Sequence, residues 1–554
     1  MKCIFFCTML LLATAFGSLR AQVTSAGTPA SGDTTMQVID IIHADRLGFR
    51  KIDSVTEIQT AAGNVVFRNE KTIFNCDSCV YDKNKKVIEA FGHVHINDAD
   101  SVHTKSDYLI YYVDQKLALL KKNVSLTDGK GTLTTNELEY QTQVKIGTYR
   151  NGGKVVNGKT VLTSEEAVYY SDMKDAYFKK NVKMRDPQYN LDTDSLLYNT
   201  ETQVATFITK TKIIDSSKRT IVTSEGFYDM KNKNANFGGR ATIQDAGVIL
   251  SGDRIVFDEI TGDSYAHGNA VYKDSAQGVS VIANDFKANK KKGSFMATQH
   301  PLMIMKQDKD STFLTADTLF SGRLTDMEGY RDKRLLEQDT LLGRIVLEDN
   351  DSTNRNRYFQ AFHHVRIFSD SLQAVSDSLF YSGVDSVFRL FNNPIAWTGM
   401  NQVTGDTIYL FTKNKKPSRL FVFENGLMIN KVGENYFNQI KGNTLNGYFK
   451  DGEIDYMRSK GSAESIYYAQ DENKAFAGVN KTIADIIDMQ FLNKELNKVT
   501  YRGEGNGTTY PFGQVNHDDM KLRGFKWQDK RRPKTKFELF EDLPPVVEEE
   551  SARQ

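Results

Sequence analysis

Residues 106–128 read SDYLIYYVDQKLALLKKNVSLTD and contain the pattern from which we predict the fold. It contains the signature Asp-x-Leu-x-Tyr, here Asp107 to Tyr111, which returns with substitutions about every 29 residues. A fixed period of this length indicates a repeat architecture in which one supersecondary unit stacks on the next. Function is then expected along an extended surface or groove. The signatures begin at Asp77, Asp107, Asn136, Glu165, Asp194, Ser224, Asp253, Asp285, Asp317, Asp377, Asp406, Asn443 and Glu464.

Apolar and polar residues alternate within each unit. Ala118 and Leu120 form one such pair, and Val124 and Leu126 form the next. Period-two alternation is typical of half-buried strands. Short strands separated by turns rich in Asp, Asn and Gly predict an all-β fold, and we count about three strands per unit. Only residues 482–496 (TIADIIDMQFLNKEL) offer a candidate helix.

The alternation produces one apolar stripe that should face a single interior. This interior is either an ordinary close-packed core, which is the more common arrangement, or a lumen partly open for an apolar ligand. Periodicity alone does not separate the two. Because they hold the same place in their units, the four tyrosines from Tyr111 to Tyr198 should line one wall. The stripe comprises Leu109, Tyr111, Val124, Leu126, Leu138, Tyr140, Tyr169, Phe178, Val182, Met184, Leu196, Tyr198, Phe207, Phe237, Ile243 and Phe257.

Residues that could carry chemistry are scattered along the sequence. His93 and His95 share a strand face, but Val94 and Ile96 hold the apolar positions, so both histidines should face solvent. The sequence contains no nucleophile elbow, zinc-protease motif or Walker loop. The recurrent Asp residues stand at turn-like positions, which favours structural roles over a catalytic pair. We therefore expect no enzyme activity, no cofactor and no metal.

The start of the chain is typical of a secretion signal, with Lys2 ahead of an apolar run and a cleavage point after residue 21. Two cysteines remain beyond it, Cys76 and Cys79, and they predict a local disulfide or two free thiols. Without Lys2 and Arg20, the 71 Lys and Arg residues fall to 69, against 70 Asp and Glu. This balance gives no support to nucleic-acid binding.

The register of the repeat suggests the domain organisation. It is lost in a charge-dense stretch after residue 322 and returns in a more divergent form. A basic run and then an acidic run end the chain, which is typical of a solvated tail. The predicted regions are a signal peptide (1–21), a leader (22–55), repeats (56–322), an irregular charged insertion (323–358), a second divergent lobe (359–511) and a disordered charged tail (512–554).

The units at 106–128 and 193–215 (TDSLLYNTETQVATFITKTKIID) resemble the OstA-like (organic solvent tolerance) domain of LptA-like lipopolysaccharide-transport proteins. The common pattern is a Leu-x-Tyr strand, an Asp or Asn turn, a small-plus-apolar strand, and then Asn/Gly-Val-x-Ile/Leu-x-Asp. It covers residues 55–300 well and residues 310–480 loosely. The resemblance implies an elongated β-jellyroll folded like a taco. Its open hydrophobic groove would carry acyl chains along the apolar stripe.

The resemblance also implies a location and partners. The location is the periplasm, including a site at the outer membrane. The partners are lipopolysaccharide, through its lipid A acyl chains, and other lipopolysaccharide-transport proteins, through edge-strand pairing. The contact edges are expected around residues 77–98 and 464–501, with the Val94 N–H as a candidate donor. The alternatives are a secreted structural or adhesive β-solenoid with a dry core and, more weakly, a polysaccharide-processing β-helix enzyme.

Overall fold

The computed structural model describes residues 39–52, 57–98, 102–306, 311–327, 356–383, 385–413, 416–450, 453–473, 475–492 and 495–541. These residues are almost entirely β-strand, so the predicted all-β class is confirmed. The strands pair antiparallel into one continuous ladder.

The first strands are β1 (Ile39–His43), β2 (Arg46–Lys51), β3 (Glu57–Asn69), β4 (Thr72–Asp82), β5 (Val87–Asp98), β6 (Val102–Tyr112), β7 (Leu117–Thr127), β8 (Thr132–Gln141), β9 (Ile146–Tyr149), β10 (Gly153–Asn157), β11 (Thr160–Ser164), β12 (Glu166–Tyr170) and β13 (Asp175–Arg185). The middle strands are β14 (Tyr189–Asn199), β15 (Val204–Phe207), β16 (Thr211–Asp215), β17 (Thr220–Thr223), β18 (Glu225–Asp229), β19 (Asn234–Gly238), β20 (Ala241–Asp245), β21 (Val248–Gly252), β22 (Arg254–Asp258), β23 (Asp263–Asp274), β24 (Val279–Asn289), β25 (Ser294–Thr298) and β26 (Leu302–Lys306). The last strands are β27 (Ser311–Thr315), β28 (Thr318–Arg323), β29 (Arg357–Phe368), β30 (Gln373–Ser382), β31 (Val387–Phe391), β32 (Ile395–Thr398), β33 (Asn401–Thr404), β34 (Thr407–Lys413), β35 (Lys416–Lys431), β36 (Phe437–Lys450), β37 (Glu453–Gln470), β38 (Phe476–Leu492) and β39 (Glu495–Pro511). Short 3₁₀ turns lie at Leu324–Asp326, Phe512–Gln514, His517–Asp519, Asp529–Arg531 and Lys536–Phe540.

Many long strands bend once near their middle. In β7 the bend is made by Lys122 and Asn123, which both adopt the left-handed conformation (φ 62° and 50°). The pairing register with β6 shifts at this point, as expected for a bulge. The buried face continues through the bend, because Leu120 before it and Val124 after it are both buried. Equivalent left-handed pairs are Gly92-His93, Lys180-Asn181, Gly268-Asn269, His363-His364 and Glu424-Asn425.

The two halves of the bent strands form two layers that face each other. We call the layer that contains residues 108–112 and 117–121 the tyrosine layer, and the layer that contains residues 102–105 and 124–127 the opposite layer. Phe74 of the opposite layer contacts Tyr111 of the tyrosine layer, with ring centroids 4.6 Å apart. A hydrophobic core runs between the layers, with members from Ala61 to Phe491.

Three details of the predicted elements are wrong. The sheet begins inside the predicted leader, since β1 and β2 both pair with β3. From residue 57 to residue 141 each unit contains two long bent strands rather than three short ones, because a bend redirects a strand without ending it. The candidate helix at 482–496 is mostly β38, where the register shift between Ala484 and Ile486 breaks the period of two and imitates helical spacing.

Part of the predicted disordered tail is folded against the sheet. Residues 512–541, which we call the strap, run along the outer face of the opposite layer. Gln439 donates to the carbonyl of Met520 (2.9 Å) and accepts from the N–H of Leu522 (2.8 Å). Gln402 makes the same two-way contact farther along the strap. The strap residues Met520, Leu522 and Leu539 are buried, which a solvated tail does not explain.

The ladder ends in free strand edges on both sides. Among the described residues, β1 and β2 pair only with β3, and β39 pairs only with β38. β5 pairs with both β4 and β6, so the expectation that Val94 offers an edge donor is wrong. Most of the predicted insertion at 323–358 lies outside the described residues, between the end of β28 and the start of β29.

Candidate functional site

The residues of the predicted apolar stripe lie on the inner faces of the two layers. Tyr111, Tyr140 and Tyr198 have no exposed surface and Tyr169 is 8% exposed, so all four are buried in the interior. The stripe residues Leu109, Val124, Leu126, Leu138, Phe178, Val182, Met184, Leu196, Phe207, Phe237 and Phe257 are buried too, whereas Ile243 is partly buried. In this section of the protein the interior is filled by its own side chains.

A row of hydrogen bonds joins the two layers over the same section. The Tyr111 hydroxyl donates to Asn69 Oδ1 (2.9 Å), and the Tyr140 hydroxyl donates to Asp98 Oδ2 (2.7 Å). The Tyr169 hydroxyl donates in the same way to Asp128. In each case a tyrosine near the end of its strand reaches a residue about 42 positions earlier, at the end of an opposite-layer strand. We call these three cross-layer bonds the clasp.

Burial of the clasp tyrosines raises their pKa values. Desolvation raises the pKa of Tyr111 to about 12. For Tyr140, burial and the hydrogen bond to the Asp98 carboxylate both raise the pKa well above its ordinary value. The phenols therefore keep their protons and donate across the two layers at neutral pH.

The first residue of the signature stabilises the bends. Asp107 accepts a hydrogen bond from the side chain of Asn123 (2.7 Å), and Asp77 contacts Nδ1 of His93 (2.8 Å). At Gly92, with φ of 72°, a Cβ would lie 2.2 Å from a carboxylate oxygen of Asp77. The absence of a Cβ at Gly92 thus lets the Asp77 carboxylate approach this bend. These geometries agree with the structural role expected for the recurrent acids.

Two signatures must be shifted to match the bends. Asn284, rather than Asp285, stands opposite the bend residues of β23, and its side chain donates to Gln299 (2.7 Å). Near the end of the chain, Asp485 rather than Glu464 holds the position, accepting from the N–H of Glu504 (3.1 Å). The clasp tyrosines occupy the fifth position of the signature, counted from its acidic or Asn residue. In the signature that begins at Asn284 this position is Ala288, and in the one that begins at Asp317 it is Ser321.

A cavity opens where Ser321 replaces the aromatic anchor. It has a volume of about 770 Å³ and lies between the two layers in residues 272–417. Ser321 lines it, and so does Asp274, which ends β23 as Asp98 ends β5. With serine in place of tyrosine, no phenol reaches Asp274 from this unit. Six apolar side chains of the wall are only partly buried: Tyr272, Val279, Phe295, Met303, Tyr381 and Phe388.

The cavity also contains polar and charged groups at its rim. Arg357 donates through Nη2 to Ser321 Oγ (3.3 Å), and the Ser321 hydroxyl donates to the carbonyl of Tyr358 (2.8 Å). Burial lowers the pKa of Arg357 from its ordinary value. Lys306 and Asp274 line the rim as well, and Asp274 accepts two backbone N–H bonds from its own turn. Sequence reasoning missed this site, although the loss of aromatics at positions 288 and 321 was a visible signal.

The remaining candidates for chemistry do not assemble into a centre. Cys76 and Cys79 are buried free thiols, one of the two states expected for them. His93 is largely exposed, as predicted, whereas His95 is partly buried and its Nε2 lies 3.2 Å from Nδ1 of His103. Over the described ranges, no group of three or more His, Cys, Asp or Glu side chains could hold a metal ion. Within the same residues, no helix is long and apolar enough to cross a membrane.

Comparison with known proteins gives a family for the N-terminal part. Residues 36–194 match the family described as OstA-like protein. A solved structure, LptH, the LptA-homologous periplasmic component of the lipopolysaccharide transport device from Pseudomonas aeruginosa, is 20% identical, with a TM-score of 0.18. That match covers 20% of this chain and 80% of LptH. A search of curated proteins finds no match. Residues 36–194 are thus similar to the OstA-like protein family, and this match covers less than half of the chain.

Proposed function

We propose that this chain is a periplasmic lipid-binding protein that shelters lipopolysaccharide acyl chains inside its β-jellyroll and helps carry lipopolysaccharide to the outer membrane. The observation that carries the proposal is the cavity of about 770 Å³ between the two layers. Its volume falls within the range of about 300–1,000 Å³ of ordinary ligand sites. The OstA-like match of residues 36–194 and the predicted secretion signal support the proposal, which involves no covalent step.

Physical chemistry favours acyl chains in this cavity. Its wall presents partly exposed aromatic and methionine side chains on the inner face. Each CH₂ group transferred from water into such surroundings contributes about 0.8 kcal/mol. Methionine side chains adapt their shape to flexible ligands, and Met303 and Met305 both line the wall. A lipid tail therefore gains affinity here without displacing a well-filled core.

The predicted groove residues before position 260 have a different role in this proposal. They fill their section of the interior, so lipid reaches Phe178 or Phe207 only if the packed side chains of this section separate. In the closed state this section acts as a rigid spacer. That observation favours the second candidate function, a structural β-solenoid with a dry core, for the N-terminal section alone.

Edge-strand pairing with other lipopolysaccharide-transport proteins is the second part of the proposal. β1 and β2 present free backbone groups together with exposed apolar side chains, including Leu47 (66% exposed) and Phe49 (62%). An exposed edge of this kind pairs readily with a strand of another chain. β39 offers a second free edge at the other end. The contact surfaces are therefore assigned to residues 39–51 and 495–511.

Mass spectrometry of lipid that co-purifies with the protein from its native envelope tests the proposed function. Wild type should carry lipopolysaccharide at a stoichiometry that falls at least severalfold in Ser321→Tyr, because the new ring occupies the cavity. The matched control is Ser251→Tyr, on the opposite layer away from the cavity. Lipid-free wild type, or equal loading of all three proteins, would contradict the proposal.

A further inference from the structure

The rim of the cavity carries a guanidinium that has no carboxylate partner in the part of the chain that the structure describes. Arg357 begins β29 on its inner face, beside Phe359, and it lines the cavity. Among the described residues it forms no ion pair, and its only side-chain hydrogen bond goes to the neutral Ser321 hydroxyl. A partly buried cation without a counter-charge is costly, and an anion that enters the site removes that cost.

The charges around the rim favour an anion. Lys306, at the end of β26, lines the cavity from the opposite layer, so cations stand on both layers. Arg323 is the cross-strand neighbour of Arg357, but its guanidinium donates to the carbonyl of Lys291 (3.3 Å). Asp274 is the acid on this rim, and one of its oxygens is occupied by the N–H groups of Ala276 and Gln277. The balance at the rim is positive.

The position of Arg357 relative to the apolar wall sets the orientation of a ligand. Arg357 stands at the strand end, where the two layers open, whereas Phe359 and Leu314 lie deeper along the same inner faces. A ligand with an apolar tail and an anionic head would therefore enter tail first. Its head would come to rest against the guanidinium, which binds phosphate oxygens in a bidentate manner.

We propose that the cavity is specific for lipids with an anionic, phosphate-type head, and that Arg357 binds this head while Ser321 positions the guanidinium. The inference rests on the proposed function, because it requires that the cavity hold a lipid. It adds a recognition residue and a head-group class to that function. In the unit that begins at Asp317, Ser321 and Arg357 stand where other units have a cross-layer tyrosine bond. The interior that is filled in those units is a binding site here.

The test is a titration of the full mature chain with dodecyl phosphate and with dodecanol, which share one tail and differ in the head. Wild type should bind dodecyl phosphate more tightly. Arg357→Gln should lower that affinity about tenfold, the effect of losing a hydrogen bond to a charged group, and leave dodecanol binding unchanged. Arg254→Gln, an exposed arginine bonded to Asn236 on the outer face, is the matched control and should change neither.

Each outcome separates the head-group inference from the proposed function. If both probes bind wild type and Arg357→Gln binds dodecyl phosphate as tightly as wild type, the head-group assignment is overturned while the lipid site stands. If neither probe binds wild type, the proposed function fails and the inference fails with it. Inorganic phosphate alone should not bind measurably. Phosphate binding that is lost in Arg357→Gln but retained in Ser321→Tyr would mark a simple anion site and overturn the lipid assignment.

Discussion

The clasp predicts a specific cost for removing one hydroxyl group. Tyr140→Phe keeps the ring, which has no exposed surface, and deletes only the donor to Asp98 Oδ2 at 2.7 Å. Asp98 is also buried, at 4% exposed, and retains a bond from Thr72 Oγ1 (2.9 Å). The substitution creates no cavity of side-chain size, so the loss should be that of one hydrogen bond to a charged acceptor.

Such a bond contributes about 1.5–3 kcal/mol to the free energy of unfolding. Because Thr72 still donates to the Asp98 carboxylate, we expect a loss of about 1.5–2 kcal/mol. The assay is urea unfolding followed by tyrosine fluorescence, together with amide exchange in β5 to β8. Tyr170→Phe is the control, because the Tyr170 hydroxyl makes no hydrogen bond within the described part of the chain. Exchange should accelerate locally around residues 98 and 140 in the first variant alone. Equal midpoints for wild type and Tyr140→Phe would refute the clasp as a stabilising contact.

The other predictions concern pH, the filled core and the strap. Burial raises the folded-state pKa of Tyr140 above the unfolded value of about 10, so its contribution to folding stability is complete below a pH of about 10 and is lost as the pH rises toward the folded-state pKa. The urea midpoint of Tyr140→Phe should therefore fall less at alkaline pH than the midpoint of wild type. Phe207→Asp should lower the free energy of unfolding by several kcal/mol, because it places a carboxylate in a filled interior. The control Thr206→Asp, on the outer face, should change it by less than about 0.5 kcal/mol. A soluble Phe207→Asp variant with the circular dichroism and urea midpoint of wild type would show that this section is open to water. Leu522→Ala should cost about 2–4 kcal/mol, since this strap residue is 4% exposed, and an unchanged midpoint would mean that the strap is not docked.

Period-two alternation predicted the strands and the inward residues because burial on one face leaves a direct mark on sequence. It did not predict the bends, since left-handed pairs such as Lys122-Asn123 resemble turns that end a strand. The bend at Asp485 likewise produced a false helical spacing. The sequence did not predict the strap, because the composition of residues 512–541 is dominated by charged side chains. Contacts between residues as far apart as Gln439 and Leu522 leave no local pattern in the sequence.

The cavity lay partly within reach of the sequence. The stripe located the interior but could not show whether it was filled, because filling depends on which side chains meet across the two layers. Tyr140 and Asp98 are 42 residues apart in the sequence, and only the structure shows that their side chains form a hydrogen bond across the layers. Ser321 holds the fifth position of the unit that begins at Asp317, where Tyr140 stands in its own unit. The family resemblance supplied the expectation of a groove, and the structure moves the open part to residues 272–417.

Photo-crosslinking in living cells tests whether the cavity in residues 272–417 binds lipopolysaccharide. A crosslinking amino acid placed at Met303 or Phe388, which line the cavity, should capture lipopolysaccharide. The same group at Phe207 in the filled section should capture much less, and at outward-facing Thr206 none. Lipopolysaccharide adducts at 303 and 388 alone are the predicted result. Equal labelling at all four positions, or none at 303 and 388, would contradict the assignment of this cavity as the lipid site.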